Sequence, residues 1–348
     1  MHLFSYRAFF PLVCALMAAG CGQKSEAPPS AEAPKAEEKP APAAPSAIKI
    51  GFINSITGPE APIGENLTNG AALAQEDLKA KGIDIELVKQ DDVGKPQVAM
   101  SAMEQLVTGD QVTAILGPYT SANSNAVAKL AQQYKVPQLI PVASKDEITR
   151  QGHTYVFRLN AVSTQYARSL IDSAMSFGKP KSIAFIYESA DFGTSVSTAG
   201  KLYANEKGLK VVADETYQKG APDYRSTLSK IKAAKPDLLF MVSYVADAIL
   251  IMRQSKEVGL TPQAFLGGGA GFETAQFESE REISNNVFSV TQWTPGMDWP
   301  GAAEFAQRYQ AKFGKKPTYH AACTYASLML LGETAQKVKG DRAKLRDA

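Results

Sequence analysis

The sequence is poor in the residues that most often carry chemistry. Its 348 residues include three cysteines and three histidines. Cys14 and Cys21 lie near the start, so Cys323 is the single thiol of the body. One thiol closes no internal disulfide, and the fold must rest on its core. His2 also lies at the start, and His153 and His320 have neither the spacing nor the neighbours of a metal site. No metal is expected. The catalytic signatures are missing as well: no Gly-x-Ser-x-Gly elbow, no phosphate loop ending in Gly-Lys-Ser/Thr, no His-Glu-x-x-His. The glycine run Gly267–Gly271 lacks the Gly-x-Gly-x-x-Gly spacing and reads as a tight turn with close backbone approach. No cofactor is expected, and no enzyme. The net charge of +2 without a basic block argues against nucleic acid and against an electrostatic membrane patch. After Cys21 no run is long and apolar enough to cross a bilayer. The nearest, Ala321–Leu331, contains Thr324 and Ser327 and reads as a buried helix.

What is present begins at the N-terminus. Arg7 precedes the apolar run Ala8–Gly20, which is too short for a membrane span and ends in small residues, as in a secretory signal peptide. Cys21 directly after Ala18-Ala19-Gly20 makes the segment similar to a bacterial lipoprotein signal. That likeness implies acylation of Cys21 as the mature N-terminus. Ala18 stands where such signals usually place a branched residue, and Gly22 where some place an inner-membrane retention Asp. Residues 1–20 are thus expected to be the signal and residues 21–46 a tether. The tether carries Pro28, Pro29, Pro34, Pro40, Pro42 and Pro45 with almost nothing to bury. The expected location is periplasmic, lipid-anchored to a bacterial membrane. Outside the cytoplasm there is no nucleotide pool, so a strand–helix rhythm there needs another explanation.

That rhythm fills the body. Short β-rich runs at Ile48–Ile53, Ile85–Lys89, Val112–Leu116 and Gln138–Val142 alternate with helical patterns near Glu65–Lys81, Pro96–Thr108 and Ala122–Tyr134. The scheme repeats with strands at Ser182–Tyr187, Lys210–Ala213, Leu238–Val242, Ala264–Leu266 and Val287–Val290. Alternation of this kind predicts α/β architecture with two doubly wound parallel-sheet domains. Such sheets receive ligands beyond the carboxyl ends of their strands, so a cleft between domains is expected.

One polar constellation falls at those strand ends. Val112–Leu116 leads into Gly117-Pro118-Tyr119-Thr120-Ser121 and a helix, and Gln138–Val142 leads into Ala143-Ser144 and Asp146-Glu147. A hydroxyl beside the free N–H groups of a helix start suits a carboxylate. The competing reading is that Ser121 and Ser144 are helix caps. The acids Asp91 and Asp92, before Gly94 and Pro96, read as turn and cap residues.

From Ile48 to about Val338 the chain resembles the leucine/isoleucine/valine-binding protein family, the type I periplasmic binding fold of ABC transporters. The landmarks are Ile50-Gly51, Thr57-Gly58-Pro59, Asn69-Gly70-Ala71, Asp91-Asp92, Ile115-Leu116-Gly117-Pro118 with Ser121, and Val136-Pro137 with Ala143-Ser144. Phe157-Arg158, Phe192-Gly193, Asp223-Tyr224 and Pro236-Asp237 follow in order. The resemblance implies two lobes, residues 47–160 with 288–348 and residues 161–287, joined by a hinge and closing on a small solute. It implies an ABC permease of the inner membrane as partner, and a monomer. Carried over, Ser121 and Ser144 would bind the ligand carboxylate with backbone groups from Val142 to Ser144. Phe192 and Tyr244 would meet the ligand from the second lobe, and Ile63 would meet its tail. Amino-acid-binding members commonly place an acid for the ammonium where this chain has Gly269. Asp191, Asp247 and Glu273 are candidate replacements, each also readable as a cap or surface charge. The implied ligand is a branched-chain or other apolar amino acid. An amine-free carboxylate such as an aromatic acid, or a small amide, is the alternative, as is a ligand-sensor role. Members usually continue with strands that return through the hinge, whereas this sequence stops at Ala348 in a polar helical run.

Overall fold

The structure, a computed structural model, describes residues 47–348. The signal peptide, the acylated Cys21 and the tether expected for residues 1–46 lie outside the described residues.

Short apolar runs become parallel strands because helices cover both faces of each sheet, which leaves little need for polar alternation. The first sheet is built from β1 (Ile48–Asn54), β2 (Ile85–Asp91), β3 (Ala114–Leu116), β4 (Gln138–Ile140) and β5 (Val156–Arg158). Its order is β2-β1-β3-β4-β5, with Ile50 in register with Leu87 on one side and Ala114 on the other. The connections are α1 (Ala61–Ala80), α2 (Pro96–Glu104) and α3 (Ser121–Tyr134). Strand β3 shows the two faces directly. Ala114 and Leu116 pack in one apolar cluster with Leu67 and Ala71 of α1, while Ile115 packs in another with Met103 and Val127 of α2 and α3.

The second sheet follows α4 (Ser163–Phe177) and holds β6 (Ser182–Glu188), β7 (Lys210–Tyr217), β8 (Leu238–Val242), β9 (Ala264–Gly267) and β10 (Val287–Ser289) in the order β10-β9-β8-β6-β7. Its helices are α5 (Asp191–Glu206), α6 (Arg225–Ala233), α7 (Val245–Val258) and the short α8 (Ala275–Ser279) and α9 (Arg281–Ser284). Strand β10 pairs with β9 through Ser289, so at residue 288 the chain is still in the second sheet. It then returns to the first lobe as α10 (Ala302–Phe313), α11 (Tyr319–Lys337) and α12 (Arg342–Asp347).

Helix α11 lies against α1 with almost no gap. A Cβ on Gly70 would stand 2.2 Å from the carbonyl oxygen of Ala321, so no larger residue fits between the two helices. The two crossing segments are tied at the hinge, where the Ala161 N–H donates to Gln292 Oε1 at 2.7 Å. The chain thus forms two parallel-sheet α/β domains, as the alternating pattern predicts. Strand β4 ends at Ile140, two residues earlier than its apolar run suggests, and this releases Val142–Ser144 from the sheet.

Candidate functional site

The loop between β3 and α3 settles which residue caps the helix. The Thr120 hydroxyl accepts the Asn123 N–H at 3.2 Å, so capping falls one residue before Ser121. Ser121 is buried, and its oxygen accepts the Lys145 N–H at 3.3 Å. Ser144 is also buried, with its hydroxyl 3.3 Å from that of Ser163, the first residue of α4. No α-helix follows Ser144; the segment Asp146–Thr149 is a single 3-10 turn. Ser121 is the first residue of α3, whereas Ser144 lies against the first residue of α4, so each serine has a different helix start beside it.

These groups form one wall of a small cavity between the lobes. Tyr119, Thr120, Ser121, Val142, Ala143 and Ser144 line it from the first lobe. Tyr166 of α4, Phe192 of α5, Tyr244 and Ala270 line it from the second, and Tyr319 at the start of α11 closes it. The cavity volume is about 10 Å³, roughly the room of one water. Tyr119 and Tyr244 meet across it edge to face at 6.0 Å between centroids, and within the second lobe Phe192 lies 5.4 Å from Tyr244. Burial pushes the phenols of Tyr119, Tyr244 and Tyr319 well above their usual value, so they stay protonated donors. The Tyr119 hydroxyl is buried without a hydrogen-bond partner.

Among the residues carried over from the resemblance, Ser121, Val142, Ala143, Ser144, Phe192 and Tyr244 converge on this cavity. Ile63 does not line it; it is a buried residue in the first turn of α1. Gly269 stands just behind the wall with φ of +103°, and a Cβ there would be 3.0 Å from the Tyr166 ring. The ring of Tyr166 thus fills the space that an acid at 269 would need. Tyr119, Thr120, Tyr166, Ala270 and Tyr319 also line the cavity, and the sequence alone gives them no site role. Tyr119 and Thr120 share the strand-end loop with Ser121 and were within reach of the same argument. Tyr166 and Tyr319 come from helices far along the chain, and no local pattern marks them.

The charged groups near the cavity are mostly engaged. Across the lobes, Lys145 pairs with Asp191 at 2.8 Å, and Asn125 donates to the same carboxylate at 3.0 Å. Lys219 pairs with the buried Glu60 at 2.7 Å and stands 4.6 Å above the Tyr244 ring. Burial raises the Glu60 carboxyl above its usual value, and Lys219 opposes that shift. Asp247 accepts the Tyr224 hydroxyl at 2.8 Å and the Gly220 N–H at 3.0 Å. Glu188 accepts the N–H groups of Ala190 and Gly193, each at 2.6 Å, at the start of α5. Burial pushes the Glu273 carboxyl up to about 8. Among the described residues no group of His, Cys, Asp and Glu is arranged to hold a metal ion, and no helix is long and apolar enough to cross a membrane. The arrangement offers hydrogen-bond donors to an anion, and aromatic faces to an apolar body.

A family model described as periplasmic binding protein matches residues 47–348. A Leu/Ile/Val-binding protein homolog from Brucella suis is 30% identical over 325 residues, spanning 86% of this chain and 80% of that protein. Among solved structures, the substrate-binding protein LivJ of a branched-chain amino acid transporter from Streptococcus pneumoniae, in complex with isoleucine, is 26% identical. It superposes with a TM-score of 0.78 and covers 87% of each chain. The leucine-binding protein LivK from Thermotoga maritima is 25% identical, with a TM-score of 0.78 and 86% of each chain covered. With the paired parallel sheets and the interlobe cavity, these matches show that the chain belongs to the periplasmic binding protein family, the solute-binding proteins of ABC transporters.

Proposed function

We propose that the chain captures a branched-chain or other apolar amino acid between its lobes and presents it to an ABC permease, held at the membrane by a lipid on Cys21. It does so by binding and release, without chemistry on the solute. The observation that carries this reading is the convergence of Ser121 and Ser144, from adjacent strand ends and each beside a helix start, on a cavity that is otherwise largely aromatic. A carboxylate gains hydroxyl and helix-start donors on the first lobe, and an apolar body gains the rings of the second. A cavity of about 10 Å³ admits no amino acid, so the lobes, residues 47–160 with 290–348 and residues 161–289, must part about the hinge for loading.

A second reading has one specific support: the cavity lining carries no charged side chain, and Tyr166 occupies the place of an acid at 269. An amine-free carboxylate, such as an aromatic acid, needs no such acid. Thermal melting of the full chain against leucine, isoleucine, valine, phenylalanine and their amine-free analogues tests both. At a hundredfold excess over Kd a true ligand adds about 2.7 kcal/mol, which raises the midpoint by several degrees. A midpoint unmoved by every carboxylate in the panel would remove the cleft's assignment to this ligand class.

A further inference from the structure

Among the described residues two ion pairs bridge the lobes, and they differ in burial. Lys145 and Asp191 both keep side-chain surface in water, whereas Glu60 keeps only 2% of its own. Glu60 stands just before α1 on the first lobe, where its carbonyl accepts the N–H groups of Ile63 and Gly64. Backbone bonds thus fix its place on that lobe. Among the described residues the one cation paired with its carboxylate is Lys219, at 2.7 Å, from the loop between β7 and α6 of the second lobe. A buried carboxylate whose counter-ion belongs to the opposite lobe has that partner only while the lobes are together. Once they part, water must replace it.

Lys219 also reaches the cleft. Its ammonium stands 4.6 Å above the centre of the Tyr244 ring, a distance at which the negative face of the ring attracts a cation. That ring lines the cavity, meets Tyr119 of the first lobe edge to face and packs against Phe192. The loop that carries Lys219 is tied to the same helix start as the ring. Tyr244 is the residue before α7, and Asp247 in the first turn of α7 accepts the Gly220 N–H at 3.0 Å and the Tyr224 hydroxyl at 2.8 Å. Ring, loop and ammonium therefore form one unit of the second lobe. The turn after β2 borders the pair from the first lobe: a Cβ on Gly94 would stand 3.5 Å from Glu60 Cγ and 3.9 Å from Lys219 Nζ.

We propose that Lys219 is a positioning residue of the cleft: on closure it pairs with Glu60 across the lobes and so fixes the Tyr244 ring against the bound solute. This rests on the reading of the cleft as a solute receptor. Encounter precedes closure and does not involve the pair, whereas opening has to break it. The latch therefore lengthens residence and leaves the association rate alone.

Stopped-flow fluorescence of the full chain at pH 8 separates the two rates. The probes are leucine, phenylalanine, 4-methylpentanoate and 3-phenylpropanoate. For every probe that binds, Lys219→Met and Glu60→Gln should each speed dissociation about tenfold and leave association within about twofold. The double variant should dissociate no faster than the worse single one, because both substitutions break the same pair. Lys219→Arg keeps a cation within reach of carboxylate and ring, and should return dissociation to within about threefold of the unaltered chain. Unchanged dissociation in both single variants, losses that multiply in the double variant, or a loss confined to association would overturn the assignment. If Glu60→Gln does not fold, Lys219→Met and Lys219→Arg decide by the same rates. If no probe binds, the capture reading fails by itself, and small-angle scattering of the unliganded chain still tests the latch. Lys219→Met should then be the more expanded form, and equal dimensions would sink the proposal.

Discussion

The two walls of the cleft are built from different materials by different local devices. The first lobe presents hydroxyls and backbone flanked by the rings of Tyr119 and Tyr319: Thr120 relieves Ser121 of capping, and the early end of β4 frees Val142–Ser144 from the sheet. The second lobe presents rings at or near helix starts: Tyr166 on α4, Phe192 on α5, Tyr244 just before α7. The difference divides labour. In the proposed function, an anion docks on the first lobe before closure, because Ser121 and Ser144 both belong to it, and the second lobe then covers the apolar body.

The strongest way to break this division is to strip the first wall. Ser121→Ala with Ser144→Ala removes two hydroxyl donors to a charged group, each contributing about 1.5–3 kcal/mol. Affinity for every carboxylate, with or without an amine, should fall a hundredfold or more by calorimetry. A carboxylate held normally by the double variant would place the anion elsewhere. Next in size is Gly269→Glu on the second wall. Its backbone lies at φ +103° and its new Cβ would press on Tyr166, so the melting midpoint should drop by several degrees, with no gain in leucine binding. Tighter leucine binding by that variant would mean that Tyr166 swings aside and that its ring does not define the wall.

How much of this could be read from the residues differs between the walls in the same way. The strand–helix rhythm predicts both sheets because parallel strands, buried on both faces, stand out as continuous apolar runs such as Leu238–Val242. The first wall is legible too, since Ser121 and Ser144 are local events at strand ends. The second is legible only where the resemblance points, at Phe192 and Tyr244. Tyr166 and Tyr319 look like ordinary helix-face aromatics, and only the tertiary fold brings them to one cavity. Ile63 shows the converse: an apolar residue near a helix start reads equally as ligand contact or core, and its side chain is buried away from the cavity lining.

The acids sharpen the comparison further. Lys219 belongs to the second lobe and Glu60 to the first, and Glu60 is almost wholly buried. Lys219→Met leaves that carboxylate without its cation, so closure must either bury a bare charge or take up a proton. Affinity should fall on the order of tenfold at pH 8 and less at pH 5, where protonating Glu60 is easier. An equal loss at both values would place Lys219 against the ligand itself. Glu273 adds a stability effect of defined sign. Its folded value lies near 8, above the ordinary carboxylate value, so its contribution is full at acid pH and is lost as pH rises through about 8. The melting midpoint should decline over that interval, and Glu273→Gln should flatten the decline.

The smallest expected effect belongs to the other interlobe pair. Lys145 and Asp191 keep 19% and 28% of their side-chain surface exposed, so their attraction is screened and contributes about 0.2–1 kcal/mol. Asp191→Asn keeps a polar group facing Asn125 and removes only the charge. Since the pair forms across the lobes, its loss should act on closure and raise the dissociation rate about two- to fivefold. The same change should come from raising salt on the unaltered chain, and the variant should be nearly insensitive to salt. If Asp191→Asn instead loses amino acids as severely as the double serine variant while holding amine-free acids, Asp191 meets the ammonium itself. The clasp across the cleft would then be part of the second wall.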